Sequence, residues 1–202
     1  MNAEKNTEEQ IIEAAKKIFT KKGLAGARMQ DIADEAGINK AMLHYYYRSK
    51  DKLFEIVFNE AINKVMTNLN TILAAKMPFP EKIKAIIENY ITALTANPQL
   101  PLFVLHEITQ NPEMFIRELK ARVGFPNVAA FMREIVEEGE KGTIRKISPV
   151  QLVMNILSMS VFPFVAKPLF QAVAEIDDVQ FRMIMEDRKR VLVEFILAAL
   201  RP

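Results

Sequence analysis

Met29-Gln-Asp-Ile-Ala-Asp-Glu-Ala-Gly37-Ile-Asn-Lys-Ala-Met-Leu43-His-Tyr-Tyr-Tyr47-Arg-Ser-Lys50-Asp-Lys-Leu53 decides the fold. Gly37 divides the stretch, because a left-handed turn costs glycine little. Met29 to Ala36 reads as one short helix, and Asn39 caps a second that runs through Tyr46. Ile32, Ala33 and Ala36 before the turn, with Ile38 and Leu43 after it, supply a small core in which the alanines permit close helix approach. That packing presents Asn39, Lys40, Met42, His44 and Tyr45 to a DNA major groove and leaves Tyr46, Arg48 and Lys50 within reach of phosphates.

Working outward, a preceding helix reads from Thr7, with Gln10 as its capping partner, to Gly23, and buries Ile11, Ala15, Ile18 and Phe19. Downstream, Ser49 caps a long helix with Asp51 in its first turn and Leu53, Phe54, Val57, Phe58, Ile62, Val65 and Leu69 along one side. Met77-Pro78-Phe79-Pro80 ends that pattern, and Asn97-Pro98 ends the next. Proline or glycine at 101, 112, 124, 126, 139 and 142 then marks off segments near Leu102 to Thr109, Glu113 to Val123 and Asn127 to Glu138. Ser148, Pro149 and Gln151 combine a cap, a first-position proline and a capping-box partner, and a last helix reads from Asp177 or Asp178 to Leu200. No stretch alternates like a strand. The fold class expected is all-α: a three-helix DNA-binding head over residues 1–50 joined to a larger helical body over 51–202.

Half of the 202 residues are apolar, enough for a substantial core. The chain has no cysteine, which excludes disulfides and thiolate chemistry and fits a cytoplasmic protein. Its acidic first residues do not resemble a signal peptide. Residues 16 to 52 hold nine basic and four acidic groups, whereas residues 1 to 15 hold one and four, and residues 53 to 202 hold seventeen of each. A basic excess confined to the helix-turn-helix is the footprint of a nucleic-acid module, although a charge run alone is more often a solvated helix face. Ile147 to Ala166 carries no charge, but its serines, Asn155 and two prolines mark a core or interface helix, with no membrane as partner. With two histidines, no phosphate loop and no metal-ligand cluster, nothing assembles an enzyme site, and no cofactor is called for.

The quoted stretch resembles the DNA-binding signature of the TetR family of transcriptional regulators, and Phe19 and Gly23 fit the preceding helix. The resemblance implies a homodimer that binds double-stranded operator DNA, represses transcription and lets go when a small molecule enters the body. Three positions depart from the pattern. Arg28 replaces a capping threonine, so it either contacts phosphate or leaves a weaker cap. His44 and Tyr47 replace a tyrosine and a phenylalanine, keeping a ring at each place. His44 faces phosphate or a base edge. Tyr47 reads as core, whereas Tyr45 and Tyr46 read as surface contacts in preference to a buried aromatic cluster.

The body is rich in Phe and Met, most of it ordinary core, yet adaptable enough to enclose an apolar ligand. Candidate ligand residues are Phe103, His106, Glu107, Gln110, Met114, Phe131, Asn155, Met159 and Phe162. His106 also reads as an ordinary satisfied histidine, and Pro163 as either a kink or a helix end. In the family the last two helices form a four-helix dimer interface, here roughly Pro149 to Val165 and Asp178 to Leu200. Val179, Phe181, Met183, Ile184, Val191, Val193, Phe195, Ile196 and Leu200 surround much of the last helix, more apolar surface than one monomer face needs. An activator or dual regulator with the same head, or a helical adaptor that does not bind DNA, are the competing readings. The adaptor leaves the signature and its charge unexplained.

Overall fold

The computed structural model describes residues 2–110, 112–121 and 124–202, leaving aside the side chains of residues 2–6 and 110. Among them are eleven helices: α1 (Asn2–Gly26), α2 (Met29–Glu35), α3 (Lys40–Tyr46), α4 (Lys50–Ala74), α5 (Phe79–Ala96), α6 (Leu100–Gln110), α7 (Pro112–Ala121), α8 (Val128–Lys141), α9 (Pro149–Val165), α10 (Lys167–Ala174) and α11 (Asp178–Ala199). No strand occurs among the described residues. The chain divides into two compact units, one ending at Ile62 and one beginning at Asn63. The head therefore takes in α4 as far as Ile62, further than residue 50, because Leu53, Phe54, Val57 and Phe58 complete its core. Phe54 meets Phe19 edge to face at 4.9 Å.

Local chemistry accounts for the turn. α2 closes with the Ile38 N–H donating to the Ala33 carbonyl at 3.0 Å and the Gly37 N–H to that of Asp34 at 3.2 Å. This Schellman closure needs a left-handed residue, and Gly37 supplies it at φ 68°. Asn39 Oδ1 accepts from the Met42 N–H at 2.7 Å, and Ser49 Oγ from the Lys52 N–H at 3.1 Å, so both expected caps form. Ile32, Ala33 and Leu43 are wholly buried, while Ala36 and Ile38 are half-buried.

In the body, α5 buries Phe79, Ile83, Ile86, Ile87, Ile91 and Leu94, and α9 and α11 pack against it. Lys82 is buried there too, its ammonium 2.7 and 2.9 Å from the Glu134 carboxylate of α8 and 3.3 Å from the Leu73 carbonyl near the end of α4.

Several boundaries differ from the sequence reading. α1 starts at Asn2 instead of Thr7, since Ala3, Glu4 and Lys5 are good helix formers, and it breaks where expected, at Gly23 (φ 67°, ψ 176°). Gly139 does not end α8. It is buried inside the helix, which runs on until Gly142 turns left-handed at φ 72°. Ser148 makes no side-chain cap on α9, so the expected capping box does not form. Pro163 lies within α9 without ending it. α10 is an additional helix, closed by Glu175 at φ 52°. Val123 of the expected Glu113 to Val123 segment lies outside the described residues. Among the described residues no single helix is long and apolar enough to cross a membrane.

Candidate nucleic-acid interface

α3 is short, and its one buried side chain, Leu43, fixes which way the helix faces. With Leu43 and the following Tyr47 inward, Asn39, Lys40, Met42, His44, Tyr45 and Arg48 all stand exposed. Tyr45 is the extreme, 84% exposed, and Tyr46 is half-buried with its ring edge to face against Tyr45 at 5.6 Å. Burial pushes the Tyr47 phenol upward, as expected of a core tyrosine. Asn39 already commits its side-chain oxygen to the Met42 N–H, so it orients the helix and keeps its amide N–H groups for a ligand. Ala41, exposed in the first turn of α3, is absent from the expected contacts because it carries no polar signal. A methyl group there suits contact with a thymine methyl.

The charges around α3 are sorted. Asp31 pairs with Lys22 at 2.8 Å and Glu35 with Lys17 at 3.0 Å, while Asp34 accepts from the Gln30 amide at 2.7 Å. The Lys22 ammonium and then the Arg28 backbone N–H, at 3.1 Å, hold the Asp31 carboxyl below its ordinary range. Among the described residues no carboxylate lies within 4.0 Å of Arg28, Lys40 or Arg48, all three exposed. Asp31 and Glu35 are thus paired within the head, whereas these cations on and beside α3 have no carboxylate partner among the described residues. Arg28 makes no side-chain cap on α2, and the Asp31 carboxylate takes its backbone N–H instead.

Lys50 stands apart. Half-buried, its ammonium donates to the carbonyl of Leu24 at 2.7 Å and to that of Ala27 at 3.1 Å. It ties the start of α4 to the turn between α1 and α2 and keeps one N–H uncommitted among the described residues.

The expected ligand residues do not converge on one site. Phe103 is buried in α6, His106 and Met114 are exposed, and Glu107 and Asn155 are half-buried. The side chain of Gln110 lies outside the described residues. Phe131 stacks on Phe79 at 6.1 Å and lines a cavity of about 60 Å³ with Leu69, Leu73, Tyr90 and Ile156. Tyr90 is not among the expected residues, and burial pushes its phenol up to about 12. Met159 and Phe162 instead line a separate groove of about 360 Å³ between α9, α10 and α11.

Comparison with known proteins agrees with this architecture. Residues 11–57 match the family described as "Bacterial regulatory proteins, tetR family", and residues 80–196 match "Tetracyclin repressor-like, C-terminal domain". The chain is 26% identical over 162 residues to the probable HTH-type transcriptional regulator YttP of Bacillus subtilis, covering 79% of this chain and 77% of that one. It is 30% identical over 146 residues to the HTH-type transcriptional repressor NicS of Pseudomonas putida, covering 69% and 66%. In three dimensions it is similar to the TetR family regulator PfmR of Thermus thermophilus, with a TM-score of 0.67, 21% identity and coverage of 95% and 99%.

Proposed function

The chain belongs to the TetR family of bacterial transcriptional regulators, DNA-binding proteins and not enzymes, and on that premise we propose a ligand-released repressor acting as a homodimer on a palindromic operator. The observation that carries the DNA-facing part is the set of exposed, carboxylate-free cations Arg28, Lys40 and Arg48 around an α3 whose inward face is fixed by Leu43. Lys40, Ala41, Met42, His44 and Tyr45 read base edges and methyl groups, while Arg28, Tyr46, Arg48 and the last N–H of Lys50 hold phosphates. Asn39 sets the pitch of the reading helix.

Two copies are needed to read a palindrome, with the recognition helices one DNA turn apart, about 34–36 Å, or a multiple of it. The body supports this with an exposed apolar face: Val150, Met154 and Leu157 on α9, and Val191 and Phe195 on α11. α4 begins in the head and continues into the body, so one covalent element carries any change in the body to the DNA-binding unit. A small apolar or amphipathic effector that favours heads spaced wrongly for the operator lowers DNA affinity by its preference for that state, typically about 1–3 kcal/mol.

The test is selection of binding sequences from a random duplex library, followed by affinities at two salt concentrations for the winner and a scrambled duplex. An inverted repeat bound far more tightly than the scrambled duplex is the expected result. Arg48→Ala should weaken both duplexes about equally and flatten the salt slope by roughly one. Lys40→Ala should erode the preference for the winner. No enriched sequence, with equal weak binding to both duplexes, overturns the reading.

A further inference from the structure

Pro163 sits inside α9 and has no N–H to donate to the carbonyl one turn back, that of Met159. Arg188 of α11 replaces the missing donor. Its Nε and Nη2 donate to the Met159 oxygen at 3.1 and 2.9 Å. The guanidinium is thereby fixed on the wall of the 360 Å³ groove, whose other surfaces are apolar apart from Ser158, chiefly Phe162, Phe170, Ile184 and Met185.

This arginine is incompletely satisfied. Among the described residues no carboxylate lies within 4.0 Å of it, although its neighbours Lys189 and Arg190 are paired with Glu186, Asp187 and Glu194. Nη1 makes no hydrogen bond among the described residues, and burial disfavours the charge. A half-buried cation of fixed geometry, with free donors and no counter-charge, is complementary to an oxyanion. Phe162 and Phe170, edge to face at 6.3 Å, are 55% and 40% exposed, so the apolar walls beside the charge are open to a ligand. Size points the same way. The cavity at Phe131 and Tyr90 has room for about two waters, at roughly 30 Å³ each, whereas the groove falls within the usual range of small-molecule sites, roughly 300–1,000 Å³.

We propose that this groove binds an anionic amphipath, with a carboxylate or comparable oxyanion on Arg188 and an apolar chain against Phe162, Phe170 and Ile184. This gives the effector of the preceding section a site and a chemical class, and rests on that reading only for its regulatory consequence. A second copy of the chain is the rival occupant. Of the exposed residues offered for dimerisation, Val150, Met154, Val191 and Phe195 lie toward the other end of this helix pair, since Met159 faces Arg188 and the Arg145 N–H reaches the Leu200 carbonyl, and Leu157 stands between that end and the groove.

The test reads binding without DNA, so its failure is separate from that of the operator reading. Decanoate, below its micelle concentration, and decanol, the same alkyl chain without the charge, are titrated by calorimetry into the 202-residue protein. Parallel spectra follow the ¹³C-labelled methionine methyl groups, because Met159 and Met185 line the groove. Arg188→Gln retains donors for the Met159 carbonyl and removes the charge, while Phe170→Ala trims a wall at a residue that is 40% exposed. Decanoate should bind the wild type and shift Met159 and Met185, weaken tenfold or more in Arg188→Gln and several-fold in Phe170→Ala, and bind much more tightly than decanol. Equal binding of the two probes overturns the proposal, as does affinity unchanged in Phe170→Ala or shifts confined to other methionines. Binding that appears only when the protein is diluted to monomer assigns the groove to the partner subunit instead.

Discussion

At the scale of single residues, the outward positions of α3 follow from one buried leucine and the helical period, and both are legible in sequence. Lys40, Met42, His44 and Tyr45 are therefore exposed as expected. Lys50 is different. Its partners are carbonyls 26 and 23 residues upstream, a contact that no local pattern announces. An ammonium donating to two carbonyls in a half-buried place is a structural tie, and hydrogen bonds to a charged group contribute about 1.5–3 kcal/mol each at most. Partial exposure lets water replace some of that, so Lys50→Met should destabilise the head by about 1–2 kcal/mol in chemical denaturation. Lys50→Arg should recover part of the loss. If Lys50→Met left stability untouched and changed only DNA affinity, the residue would be a phosphate contact and no tie.

At the scale of elements, starts and stops written in adjacent residues are legible. Asn39, Ser49, Asn127 and Asp177 all accept backbone N–H groups at the helix starts they mark. The misses arise where packing overrides the local signal. Gly139 is buried within α8 at helical backbone angles, where glycine gives no stop, and Gly142 provides the actual stop. α10 escapes a sequence reading because its end is a left-handed glutamate, Glu175, with no glycine to signal it. The tie of α5 to α8 and to the end of α4 through Lys82 is also illegible, because lysine and glutamate 52 residues apart look like two surface charges. Lys82 is 5% exposed at its side chain and Glu134 is 27% exposed. Removing the carboxylate leaves a buried ammonium with the Leu73 carbonyl alone. Glu134→Ala should thus cost about 3 kcal/mol, the low end of the range for broken buried pairs because Glu134 is partly exposed. The double substitution Lys82→Met with Glu134→Leu should cost much less than Glu134→Ala alone. Additive losses in denaturant titrations would show that the pair is not coupled.

At the scale of the whole molecule, charge distribution and helical content locate the DNA-binding unit in the sequence, but a candidate ligand site spread over α6, α7, α8 and α9 rests on composition alone. Which Phe or Met lines a cavity depends on helix crossings that composition does not encode. The dimer is argued from what is left exposed. On α11, Val193, Ile196 and Leu200 are buried within the body, whereas Val191 and Phe195 are not, and with Val150 and Met154 exposed on α9 this end of the helix pair is apolar on a second side as well. A monomer rarely leaves so large an apolar face to water. Phe195, 58% exposed, is the residue to change, since replacing it disturbs little inside one subunit. Phe195→Glu should turn a dimer into a monomer in sedimentation velocity at micromolar protein with an unchanged melting curve for the isolated subunit. The monomer keeps its reading helix and should still bind a half-site with its ordinary salt slope. On the full inverted repeat it loses the linked second contact, which by effective concentration is worth about 10²–10⁴-fold in affinity. A variant that stayed dimeric would place the subunit contact elsewhere on the body. A variant that became monomeric yet bound the repeat as tightly as before would mean that operator recognition does not require the pair.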